Sequence, residues 1–253
     1  MSLHVYATGD KRDPAIVFLH GLGVSSWMWT QQVEQLSGRF FCVTVDLPGN
    51  GASHGVPWRS FGDTAAAVAD VVAGTPSGRA HVVGLSLGGY VALTLTARHP
   101  ELVGNVVVSG VTATPMTPAW SYRLATRAGA VIMRRPTLCR AYGVALRMPS
   151  DARAAMAADA RVLSAATTRR IYDEIVPFRA PSRLERVLAV AASHDAALIR
   201  RGLNAFAAAG ATVAVAPNAH HAWNAEHPDL FSDMVAAWVT DRTVAPGLAD
   251  GSA

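Results

Sequence analysis

The stretch that decides the fold is Ala80-His81-Val82-Val83-Gly84-Leu85-Ser86-Leu87-Gly88-Gly89. Its first half is a continuous apolar run of the kind buried in a sheet, and from Leu87 to Arg98 the spacing turns helical. Ser86 therefore sits where a strand ends and a helix begins. The pattern Gly-x-Ser-x-Gly alone says little, because three fixed positions recur by chance in about one chain in ten of this length. The strand-to-helix context is what gives it weight, since that sharp elbow exposes a serine hydroxyl and needs small neighbours. The helix start also aims backbone N–H groups at any charge that develops beside Ser86.

Working outward, the same alternation recurs. Apolar, β-branched runs occupy Ala15 to Leu19, Phe40 to Val45, Asn105 to Ser109, Val187 to Ala192 and Ala211 to Ala216, with Leu3 to Ala7 as an edge candidate. Helical spacing fills Phe61 to Val72, Leu198 to Ala208 and Pro228 to Val239. Strands apolar on both faces and separated by helices predict a doubly wound, mostly parallel α/β sheet. The alternation stops over residues 113–184, an alanine- and arginine-rich helical stretch punctuated by prolines, which is expected to form an inserted helical cap on a core of residues 1–112 and 185–243. Residues 244–253 have little to bury and are expected to form a mobile tail.

A serine hydroxyl needs a base, and the base needs an acid that fixes its tautomer. Asn218-Ala219-His220-His221-Ala222-Trp223 follows the last apolar strand, so His221 is the candidate base, with His220 an almost equal competitor on spacing alone and His227 placed at a helix start. Seven acids lie between Ser86 and His221: Glu101, Asp151, Asp159, Asp173, Glu174, Glu185 and Asp195. Only Asp195 directly follows a core strand at its C-terminal end, where open α/β sheets gather their functional groups. Acyl transfer also needs donors for an oxyanion. Leu87 N–H is one, and the turn His20-Gly21-Leu22-Gly23 after the first apolar strand offers Leu22 N–H as the second.

Bulk properties narrow the classes. The 253 residues are 51% apolar, enough for one large domain with a sizeable core. No apolar run approaches the ~20 residues of a membrane span, so stable membrane insertion is not expected. The N-terminal residues do not resemble a secretory signal, which makes a cytoplasmic location the expectation. Cys42 and Cys139 are far apart and no metal-ligand spacing occurs, so neither metal nor cofactor is expected. The net charge of +4 is unevenly spread: residues 113–184 hold twelve arginines against four acids, net +8, leaving the remainder at −4. These arginines lack interleaved aromatics, which argues against nucleic acid; oligomeric state is not legible.

With these residues in hand, the chain resembles the α/β-hydrolase superfamily, in particular its cap-bearing esterases and lipase-like serine hydrolases, along nearly its whole length. His20-Gly21-Leu22-Gly23 resembles the family's His-Gly oxyanion loop, and Asp46-Leu47-Pro48-Gly49-Asn50-Gly51-Ala52-Ser53 its Asp-x-Pro-Gly-x-Gly-x-Ser segment, which is usually structural and gives Asp46 no catalytic role. In the terminal histidine region His220 stands at the usual glycine position, which favours His221 as base. Ala192-Ser193-His194-Asp195 departs from the frequent Gly-x-x-Asp at the acid. The resemblance implies hydrolysis of a small-molecule ester through an acyl-enzyme on Ser86. The same residues also serve carbon–carbon or lactone hydrolysis, cofactor-free peroxidation, or low-turnover sensing of a small molecule. It further implies a pocket lined from the cap, with Met116 and Trp120 as candidate substrate contacts. Trp27 and Trp29, just beyond the oxyanion loop, are candidates of the same kind, core packing being the alternative for each.

Overall fold

The computed structural model of the protein describes residues 2–133 and 135–251. Eight strands form one sheet: β1 (His4–Thr8), β2 (Ala15–Leu19), β3 (Phe41–Asp46), β4 (Ala80–Leu85), β5 (Val103–Ser109), β6 (Val187–Ala192), β7 (Thr212–Ala216) and β8 (Ala249–Asp250). Their spatial order is β1-β3-β2-β4-β5-β6-β7-β8, parallel from β3 through β7 and antiparallel at both edges. Every residue of β2, β3 and β6 is buried, which is why β2 and β6 read as unbroken apolar runs. Edge strand β1 is exposed along its length.

The helices are α1 (Thr30–Leu36), α2 (Phe61–Ala73), α3 (Leu87–Arg98), α4 (Ala119–Met133), α5 (Pro136–Ala145), α6 (Ser150–Val162), α7 (Ala165–Ile175), α8 (Ala197–Ala208), α9 (Trp223–Glu226) and α10 (Pro228–Asp241). Side chains alternate across the sheet. Val17 and Leu19 of β2 pack with Val68 and Val72 of α2 and Leu93 of α3, whereas Ile16 and Phe18 face Leu36 of α1 and Phe231, Met234 and Trp238 of α10. Ser60 caps α2 by accepting from Asp63 N–H at 3.0 Å, and Pro228 opens α10 where its missing N–H costs nothing. Helix α3 lies close against β2: a Cβ on Gly88 would fall 1.9 Å from the Leu19 carbonyl oxygen, so only glycine allows this approach.

Two features position the site. The chain winds one way from β2 to β3 and then back past β2 to β4 on its other side, so the turns after β2 and β4 open into the crevice where the winding reverses. Between β5 and β6 the chain leaves the sheet for α4 to α7, the inserted helical cap. The cap is latched to the core by its acids. Glu174 accepts from Trp58 Nε1 at 3.1 Å and from Phe61 N–H at 2.7 Å, and Asp159 accepts from Trp27 Nε1 at 2.7 Å.

Part of the C-terminal segment expected as a mobile tail is seated on the sheet. Ala249 and Asp250 pair antiparallel with β7, and Ala245 is buried. Strand β7 would otherwise present an unpaired row of N–H and C=O groups, which even two tail residues help to satisfy.

Candidate active site

Ser86 stands at φ +52°, ψ −115°, a conformation that non-glycine residues rarely adopt. Its backbone N–H donates to the Ser109 carbonyl at 2.8 Å, and its carbonyl accepts from Gly89 and Tyr90 in the first turn of α3. The elbow is thus held from β5 on one side and α3 on the other. Gly84, Gly88 and Gly89 all pack where a Cβ would come within about 2.5 Å of a neighbour, which explains the small residues flanking the serine.

Asp195 and His221 meet across the ends of β6 and β7. Asp195 Oδ1 lies 2.6 Å from His221 Nδ1, and Asp195 Oδ2 accepts from Ala192 N–H at 2.8 Å. The carboxylate is almost wholly enclosed, with 2% of its side chain exposed, whereas the imidazole keeps 25%. That bond sets Nδ1 as the protonated nitrogen and leaves Nε2 as an acceptor. The ring lies against Gly110, where a Cβ would come 2.5 Å from His221 Cε1. Among the described residues no hydrogen bond joins Ser86 Oγ to the imidazole; both line one cavity. Such contacts in ligand-free sites are often long and close around substrate.

The turn after β2 is built around His20, a fully buried ring. Its Nε2 accepts from Leu47 N–H at 2.9 Å, so its proton resides on Nδ1, which donates to the Gly21 carbonyl at 2.7 Å. Burial holds this imidazole below its usual pKa and keeps it neutral. Because the peptide is trans, tying down the Gly21 carbonyl turns Leu22 N–H to the opposite side. Asp46 braces the same turn, accepting from Ser26 N–H and Ala52 N–H, each at 2.8 Å.

The cavity encloses about 500 Å³ between this crevice and the cap. Leu85, Met148, Met156 and Leu163 line it, with Tyr142, Tyr172 and Asn224 as its larger polar members. Burial pushes the Tyr172 phenol up to about 12 and raises Tyr142, so both remain neutral donors. Among the described residues no Lys, Arg, Asp or Glu side chain lines the cavity. Nor does any group of three or more His, Cys, Asp or Glu side chains there cluster closely enough to hold a metal ion.

The model of the alpha/beta hydrolase family matches residues 16–234. The chain belongs to that family. Among curated relatives of this hydrolase, a pimeloyl-[acyl-carrier protein] methyl ester esterase of Nitrosomonas europaea is 40% identical over 114 residues, covering 45% of this chain and 42% of the relative. An esterase of Mycobacterium tuberculosis is 36% identical over 104 residues, 39% of this chain and 33% of the relative. The matches therefore span less than half the length of either esterase. The enol-lactonase of Burkholderia xenovorans superposes with a TM-score of 0.75 at 23% identity, covering 94% of this chain and 96% of that one. That likeness carries the fold and no reaction. The protein is an α/β hydrolase.

Of the residues singled out in the sequence, the hydrolase brings Ser86, His221, Leu22 and Trp27 to the one cavity, with Asp195 behind His221 and Leu87 buried at the start of α3. Two of the expected substrate contacts lie away from the cavity. Trp120 is 71% exposed on the outside of α4, and Met116 packs against the core beneath the cap; neither is among the lining residues. Trp29 is fully buried between Phe18 and Phe231. His220 turns away from the cavity to Glu226, whose carboxylate accepts its backbone N–H at 2.7 Å, and its ring stacks on His194 with centroids 4.5 Å apart. Sequence reasoning missed Ser109 and Gly110. Ser109 joins two halves of the site, since its carbonyl holds Ser86 N–H and its Oγ accepts from Trp223 Nε1 at 2.9 Å.

Proposed function

We propose that this hydrolase cleaves carboxylic esters with an uncharged, apolar acyl group through an acyl-enzyme on Ser86. His221 Nε2 takes the hydroxyl proton as Oγ attacks the carbonyl carbon, and Asp195 holds the ring and stabilises its protonated form. Leu22 and Leu87 N–H groups receive the oxyanion. Collapse passes the proton to the departing alcohol, after which water attacks the acyl-enzyme by the same route in reverse.

The observation that carries the reading is the enclosed Asp195–His221 pair at 2.6 Å, bordering the cavity that also receives the strained Ser86. Charge decides the acyl class. The cap arginines would favour an anionic acyl group only if they faced inward, and the described lining has no cation to neutralise one, which in an apolar cavity is costly to leave unpaired. A volume of about 500 Å³ suits a short or medium chain or a single aromatic ring.

The test is hydrolysis of p-nitrophenyl butyrate alongside the monoester of a dicarboxylic acid carrying a free carboxylate. Ser86→Ala should lower kcat by a factor on the order of 10³ or more and abolish labelling by a fluorophosphonate probe. The neutral ester should have the higher kcat/KM. Turnover or labelling that survives in Ser86→Ala refutes the nucleophile, and preference for the charged ester refutes the acyl class.

A further inference from the structure

The cap carries a one-sided surface that hydrolysis does not use. Between Ala113 and Ser150 the sequence holds six arginines and no aspartate or glutamate. Helices α4 and α5 carry three of them, Arg123, Arg127 and Arg140. On α4, Trp120, Arg123, Leu124 and Arg127 fall at i, i+3, i+4 and i+7, which places them on a single stripe. The stripe faces outward: Trp120 is 71% and Leu124 63% exposed, and both arginines are exposed. Ala125 and Thr126 line the cavity from the same helix. On α5, Leu138 and Tyr142 form a second exposed pair at i, i+4, and Val144 is exposed as well. Among the described residues no ion pair engages Arg123, Arg127, Arg135, Arg140 or Arg147. Two of the four cap acids, Asp159 and Glu174, are spent on latching the cap to the core.

We propose that the outer face of α4 and α5 docks on an anionic lipid surface. Trp120 and Leu124 would lie at the boundary of headgroups and acyl chains, while the arginines beside them reach lipid phosphates.

The choice of a lipid surface rests on how the two chemistries interleave. Large apolar side chains left in water on the same stripe as unpaired guanidiniums match an interface that is apolar a few ångström below an anionic plane. Nucleic acid would satisfy the arginines and leave Leu124, Leu138 and Val144 in water. No described helix is long and apolar enough to cross a membrane, so the contact is peripheral. Tyr142 is both exposed and part of the cavity lining, so the docked face lies beside the mouth, and an apolar ester could pass from the bilayer into the site without crossing water. Docking itself does not depend on the ester reading.

The experiment is co-sedimentation of the full chain with extruded vesicles, either pure phosphatidylcholine or equal parts phosphatidylcholine and phosphatidylglycerol, at low and high salt. The protein should pellet with the mixed vesicles at low salt and stay in solution with phosphatidylcholine alone. Arg123→Gln/Arg127→Gln and Trp120→Ala/Leu124→Ala should each lower the partition coefficient by about tenfold or more, as expected from about fivefold per basic residue at an anionic surface. All four side chains are exposed, so melting temperature should hold. Equal binding to both vesicle types, no binding to either, or full binding by the Trp120/Leu124 variant would overturn the proposal. Capture by immobilised polyglutamate without binding to mixed vesicles would also overturn it, in favour of an acidic protein partner.

Discussion

Gly110→Ala puts a single methyl group against the imidazole on which the proposed chemistry depends. Gly110 has φ +70°, and an added Cβ would lie 2.5 Å from His221 Cε1 and 2.9 Å from Nδ1. Ordinary carbon contacts begin at 3.4 Å, so ring or backbone must yield by about 0.9 Å. The ring cannot retreat toward Asp195 without shortening a bond already at 2.6 Å, so it moves at the expense of its alignment with Ser86. A misplacement of about 1 Å in a reacting group costs on the order of 10²-fold in rate, equivalent to about 2.7 kcal/mol of barrier. The left-handed backbone adds roughly 1–2 kcal/mol against folding, a fall of roughly 2–8 °C in Tm for a chain of this size. Gly78→Ala separates the two effects. Gly78 has φ +65° but nothing within 4 Å of an added Cβ, so that variant should show the Tm loss with full turnover of p-nitrophenyl butyrate. Activity of Gly110→Ala within threefold of the parent, or an equal loss in Gly78→Ala, would refute the placement of the ring.

The parts of this fold that were legible in the sequence are those whose burial is continuous. Strands β2 and β6 begin and end as read, because all their residues are apolar and inside, and α3 runs from Leu87 to Arg98 as its spacing indicated. Helix α1 went unread because Thr-Gln-Gln-Val-Glu-Gln-Leu holds only two apolar residues, and its packing against α10 comes from the tertiary fold. Strand β8 was unreadable for a similar reason: Ala249 and Asp250 have no strand propensity, and what recruits them is the open edge of β7. In the candidate site, Ser86, Asp195 and His221 could be singled out because few residue types can serve as nucleophile, base or acid. Gly110 was not, since no pattern marks a residue whose contribution is the absence of a side chain beside His221. The placement of Trp120 and Met116 was not legible, for a physical reason as well. An apolar residue on an amphipathic helix faces core, cavity or solvent according to packing partners the helix does not encode, and Trp120 faces solvent.

Two further outcomes concern histidine rings outside the Asp195–His221 pair. Burial holds His20 below its usual 6.5, so above that pH neither the folded nor the unfolded chain carries its proton and stability owes nothing to its titration. As pH falls below 6.5 the unfolded chain gains a proton that the fold refuses, and stability should drop by up to about 1.4 kcal/mol per pH unit until the folded ring titrates. Urea denaturation from about pH 7.5 to about pH 5 should therefore show a shallower acid slope in His20→Gln, and an unchanged slope would contradict a neutral His20. The second outcome concerns the loops carrying Asp195 and His221, which are joined by the stack of His194 on His220, with rings inclined by only 4°, and by His194 N–H donating to the Ala219 carbonyl at 2.9 Å. Neither ring lines the cavity, so their effect on turnover must pass through the alignment of their neighbours. A stacked pair is worth about 0.5–1.5 kcal/mol beyond burial, so His194→Ala or His220→Gly should lower kcat by roughly two- to tenfold with KM little changed. Because each substitution removes the same contact, the double variant should lose no more than the worse single one. Losses that multiply would mean that the two rings act separately, and the stack would then have no part in aligning acid with base.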